Sequence, residues 1–203
     1  MKIKLFNTTL SFSYAVIAVM TCVLLFDKNG GIILCFLSSL IHEAGHITAM
    51  LMLKSPPEKI KLCMFGIEIC DCKRSTRNKK HDMIITVAGV TVNFLVALLV
   101  FLINLFAKSK ILFDFFAINL TIGLFNLMPV ATLDGGQALF IILTNKIKHE
   151  KASHIIDALT FILIFPTAVL GFVILLRSKY NFSLLLISLY LIFALVFKKS
   201  KFL

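Results

Sequence analysis

A chain of 203 residues with a 59% hydrophobic share, 15% charge, 20 phenylalanines and no tryptophan has too little polar surface for a water-soluble domain. It reads as an integral membrane protein. The net charge of +11 suggests nucleic acid only until the basic residues are sorted. With a cytoplasmic N-terminus, 16 of the 21 fall in inner segments and five, Lys28, Lys108, Lys110, Arg177 and Lys179, in outer ones. This is the positive-inside pattern of a multi-pass protein with both termini in the cytoplasm (for a bacterium, the cytoplasmic membrane), and no nucleic-acid partner is expected.

In chain order, the first apolar stretch, 10–26, follows Lys2 and Lys4 but shows no small-residue cleavage site before Asp27, so it is read as a retained span. Further stretches long enough to cross roughly 30 Å of hydrocarbon lie at 31–53, 83–106, 111–128, 155–176 and 182–197. The expectation is therefore an all-α membrane protein of about six transmembrane helices. It forms one domain over 1–203 with a three-helix catalytic core at about 31–140. The sizeable extramembrane piece is 54–82. Pro56 and Pro57 stop a helix, and Ile60 to Cys70 alternate in part, with Lys61 and Glu68 among apolar residues. That pattern predicts a short membrane-associated β-hairpin turning at Gly66, with an interfacial loop as the alternative. Lys73 to Lys80 is read as a solvated basic loop. The cysteines, Cys22, Cys35, Cys63, Cys70 and Cys72, are scattered and call for no disulfide framework.

The second span carries His42-Glu43-Ala44-Gly45-His46, three ionisable side chains in an apolar run. Histidines four apart share one helix face and can reach a single zinc ion, with the glutamate beside the open coordination position. A tetrahedral catalytic zinc needs a third protein ligand. After the fourth span, Pro129 breaks the helix and Asp134 precedes Gly135 and Gly136. Asp134 could simply cap the following helix. With H-E-x-x-H present and no comparable carboxylate in another span, ligation is favoured. Early in the third span, Gly89 admits close packing against the second, and Asn93 either hydrogen-bonds across helices or lines a cavity. His81, His149 and His154 are read as surface residues.

His-Glu-Ala-Gly-His in one span, Ala88-Gly89-x-x-x-Asn93 in the next and Asn126-x-x-Pro129-x-x-x-Leu133-Asp134-Gly135-Gly136 after the fourth resemble the site-2 protease family of intramembrane zinc metalloproteases. The wording from Phe125 to Gly136 is most similar to its sporulation branch. The resemblance implies zinc held by His42, His46 and Asp134, with Glu43 as general base. It further implies that Asn126, Pro129, Gly135 and Gly136 shape the active-site segment, that Asn93 lines the cavity, and that the 60–70 segment, including Phe65 and Gly66, holds substrate as an added strand. Its implied partners are a membrane-tethered protein substrate, such as a sigma-factor precursor, and a membrane-protein regulator or inhibitor. Val90 stands where the family usually has proline, Ile67 where it often has a second glycine, and no CBS domain follows. Nucleotide sensing is then expected to be absent or supplied by another protein. The competing reading is a non-proteolytic metal-binding membrane protein, either a carrier or an inactive scaffold, which would have no need of Glu43.

Overall fold

The computed structural model describes residues 2–5, 8–12, 21, 27, 30–57, 59–63, 66–70 and 77–177. Phe65, the expected 182–197 span and most of the 10–26 span lie outside them. Two compact units are distinguished, Met1–Phe125 and Asn126–Leu203.

The first unit opens with strands β1 (Lys2–Leu5) and β2 (Thr8–Phe12), paired antiparallel. Residues 10–12 are therefore strand where a transmembrane helix was expected. The alternation of Thr9, Leu10, Ser11 and Phe12 has the two-residue period of a pleated ribbon, and a window scored for apolar content alone overlooks it. β2 continues into a parallel pairing with β3 (Lys59–Cys63), which pairs antiparallel with β4 (Gly66–Cys70), giving a four-stranded sheet in the order β1-β2-β3-β4. Gly66 already pairs with Cys63 and so belongs to β4, and Lys61 stands opposite Glu68 in the register.

Between the two hairpins runs helix α1 (Gly31–Met52), and after β4 come α2 (Lys79–Ala107) and α3 (Lys110–Asn126). The Asp27 carboxylate accepts from the amides of Ile32 at 2.9 Å and Ile33 at 3.1 Å, satisfying two of the orphan donors of α1. Asn78 caps α2 by accepting from the Lys80 amide, and Arg77 pairs with Asp82 in its first turn at 3.4 Å, so the end of the expected solvated loop is built into the helix start. Among the described residues, α1 and α2 are long and apolar enough to cross a membrane. The burial pattern is that of a lipid-facing protein. α2 buries Gly89, Asn93 and Ala97 and exposes Leu95, Leu98, Leu102 and Phe106, placing small and polar groups inward and large apolar ones outward.

In the second unit, α4 (Asp134–Leu143) is joined to α5 (His149–Arg177), which covers the expected 155–176 span and contains Pro166. Ala131, Phe140, Ala152 and Ile156 form its core.

Candidate metal centre

On α1 the buried stripe is Ser38, His42, Gly45, His46 and Ala49, the positions that a 3.6-residue repeat brings onto one face. This stripe lies against α2 at very short range. A Cβ on Gly45 would stand 2.9 Å from the Ala88 carbonyl oxygen and 3.0 Å from the Gly89 Cα, so the helices touch backbone to backbone. A Cβ on Gly89 would stand 2.5 Å from Nε2 of His46 and 2.8 Å from Cε1 of His42. Gly89 thus does more than permit packing: its bare Cα is the floor on which both imidazoles rest.

The two rings meet edge to face with Nε2 atoms 3.2 Å apart. Two nitrogens at about 2.05 Å from a tetrahedral zinc stand about 3.3 Å apart, so the pair has the spacing of two ligands of one ion. The His46 Nδ1–H donates to the Ile85 carbonyl at 2.7 Å. A carbonyl can only accept, so this bond fixes the tautomer and makes Nε2 the unprotonated nitrogen, the one a metal can take. Glu43, between the histidines, is half-buried.

One turn before His42, the Ser38 hydroxyl donates to the Leu34 carbonyl at 2.8 Å and accepts from the Asn119 amide of α3 at 2.9 Å. Both side chains are fully buried, and the sequence reading passed over them. The signal was available in Asn119, an amide in an apolar span, the same anomaly that singled out Asn93. Asn93 itself is 0% exposed on the buried face of α2.

In the second unit, Asn126, Pro129, Asp134, Gly135 and Gly136 lie on one connection and the helix it enters. Leu133 takes the N-cap position, so Asp134 is the first residue of α4 and not its cap. Gly135 and Gly136 are needed because a side chain on either would run into the carbonyls of Leu127, Met128 and Val130, which fold back over the first turn. The Ala131 amide donates to Thr160 Oγ1 at 2.9 Å, and that hydroxyl donates to the Ile156 carbonyl at 2.7 Å, tying the irregular segment to α5. Thr160 also escaped the sequence reading, since a threonine in a helix carries no local sign of such a role. Gly66 lies in β4. The expected surface histidines, His81, His149 and His154, are exposed, and the His149 ring packs edge-on against Phe140.

Residues 107–167 match the model of peptidase family M50. A zinc metalloprotease of Methanocaldococcus jannaschii is 30% identical over 129 residues, 61% of this chain and 37% of that protein. Stage IV sporulation protein FB of Bacillus subtilis is 28% identical over 117 residues, 56% of this chain and 40% of that protein. The chain thus matches less than half the length of either curated relative. The solved site-2 protease from M. jannaschii has the same fold, with a TM-score of 0.71 and 23% identity over 97% of this chain and 93% of that one. With its paired histidines and its Asn-Pro-Asp-Gly-Gly connection, the chain is similar in sequence to zinc metalloproteases, carries a match to peptidase family M50 over 107–167, and has the fold of a site-2 protease.

Proposed function

We propose that this protein is an intramembrane zinc metalloprotease that hydrolyses a peptide bond within or next to a transmembrane segment of a membrane-tethered protein. The observation that carries the reading is the pair of buried Nε2 atoms 3.2 Å apart, one ring locked by the Ile85 carbonyl, with a glutamate between them in sequence. His42, His46 and Asp134 are the donors that would hold zinc. When bound, zinc supplies a Lewis acid for the attacked carbonyl and makes a water more acidic. Glu43 takes the proton of the attacking water and returns it to the leaving amine. Asn126, Pro129 and the two glycines set the backbone course from which Asp134 is presented. Both termini are cytoplasmic in this reading.

A helical substrate hides its peptide groups in its own hydrogen bonds and must be unwound before attack. Among the described residues β4 lies at the edge of the sheet beside β3, so its other edge can take an added strand. The likeness to a sporulation protein supports a sigma-factor precursor as the substrate.

The test is zinc per chain, by elemental analysis of detergent-purified protein. Wild type is expected near one zinc, with His46→Phe and Asp134→Ala sharply reduced. Absence of zinc from folded wild type, or full zinc in Asp134→Ala, would remove the proposal.

A further inference from the structure

The strand registers divide the four-stranded sheet into two faces of opposite character. Alternate residues of a strand belong to opposite faces, and residues paired across strands belong to the same one. Lys2, Ser11, Lys61 and Glu68 form one row across all four strands, and Lys4, Thr9, Lys59 and Cys70 form a second on the same face. Ile3, Leu10, Ile60 and Ile69 make up the row between them, on the other face. The remaining pairs keep this division, with Thr8 the one polar residue assigned to the apolar face among the described residues.

The two edges of the sheet differ as well. Among the described residues these are β1 and β4. β1 has lysine at two of its four positions, Lys2 and Lys4, a composition that discourages further pairing at an edge. β4 has no lysine, and it approaches α1, the helix of His42 and His46. A strand added beside β4 would extend both faces of the sheet. Its residues beside Ile67 and Ile69 would join the apolar face, and those beside Gly66, Glu68 and Cys70 the lysine face. A slip of one residue would exchange the two sets.

We infer that the segment recognised at β4 is the border of the substrate's membrane span, a stretch in which apolar and polar residues alternate, and not the uniformly apolar middle of the span. This rests on the protease reading above and on β4 as the strand that takes substrate. A uniformly apolar stretch sets half of its residues on the lysine face, whereas an alternating one suits both faces. The position beside Glu68 takes a basic residue, since opposite charges directly across two strands are favourable.

The experiment uses the full chain carrying Glu43→Gln, so that bound peptides are not cut, and reads the anisotropy of fluorescein-labelled peptides above that in protein-free micelles. Two peptides of one composition are compared: Thr-Ile-Lys-Ile-Thr-Ile, which alternates, and Ile-Ile-Ile-Thr-Lys-Thr, which does not. The alternating peptide should bind roughly tenfold more tightly or better, the effect of keeping a single apolar residue off the lysine face. Equal binding, or binding by neither, overturns the inference. That comparison requires no change to the sheet. The central charge then locates the site. With Glu68 intact, Thr-Ile-Lys-Ile-Thr-Ile should bind about twofold to fivefold more tightly than Thr-Ile-Glu-Ile-Thr-Ile, and Glu68→Lys should reverse the preference. The same preference in both proteins overturns the inference too. Zinc per chain, and cleavage by protein with Glu43 intact, are scored separately and bear on the protease reading alone.

Discussion

Gly89→Ala adds one methyl group at the point where the structure has least room for it. The new Cβ would lie 2.5 Å from Nε2 and 2.7 Å from Cε1 of His46, and 2.8 Å from Cε1 of His42. Ordinary contact begins near 3.4 Å, so the His46 ring has to retreat by about 0.9 Å. A free side chain could turn aside at little cost. His46 cannot, because its Nδ1 is held by the Ile85 carbonyl at 2.7 Å and the backbone behind it abuts α2 at Gly45. Metal–ligand distances tolerate about ±0.2 Å, so the displacement exceeds what a zinc site absorbs. Disturbing the support of a ligand typically costs 10- to 100-fold in metal affinity, and moving the ligand itself should reach at least the upper part of that range. Overpacking adds a stability loss of about 1–3 kcal/mol. The assay is zinc competition against a chromophoric chelator in detergent, with Gly123→Ala as control. There the added Cβ meets the Phe94 ring at 2.8 Å, on a helix that carries neither histidine, so stability should fall while zinc affinity holds. Wild-type zinc affinity in Gly89→Ala would refute the claim that this glycine supports the imidazoles.

Three further outcomes are expected. Glu43→Gln should keep zinc yet slow cleavage by roughly 10²- to 10⁴-fold, the span of a general base, and a variant as fast as wild type would strip Glu43 of that role. Thr160→Val, by orphaning the Ala131 amide, should cost about 1–3 kcal/mol in detergent melting, whereas Thr160→Ser should recover most of it; equal losses in both would point to packing instead of the hydroxyl. A double-mutant cycle of Ser38→Ala and Asn119→Leu should return a coupling of about 0.6 to 1.7 kcal/mol, and strict additivity would mean that the buried contact contributes nothing.

The sequence made the paired histidines legible because their spacing is local and an ionisable group in an apolar run has few explanations. It could not reveal the support beneath them. Gly89 is 43 residues from His46, and only the crossing of α1 and α2 shows that its missing side chain is occupied by imidazole. The Ile85 carbonyl is backbone and leaves no mark in residue type. Asp134 was legible as a carboxylate following a broken helix, but its position as the first helical residue, with Leu133 at the cap, depends on how 127–133 folds back. The N-terminal strands were missed because Leu10 and Phe12 were counted as part of an apolar run while the polar residues alternating with them were disregarded. The partial alternation of 60–70 falls where β3 and β4 lie, with Gly66 already paired within β4.

The glycine-to-glycine joint between α1 and α2 also bears on the membranes in which this protein can work. Hydrophobic mismatch is absorbed by tilting helices at a cost of fractions of a kcal/mol per Å, and a joint cushioned by long side chains would pass that tilt on as slippage between neighbours. Here Gly45 meets the Ala88 carbonyl and the Gly89 Cα directly, with the stiff Val92 side chain beside them and few rotamers to rearrange, so a thinner or thicker bilayer tilts both helices as one body. The spacing of the imidazoles is thereby decoupled from the surrounding lipid, and the same chain can serve in bilayers of differing composition without retuning its ligands.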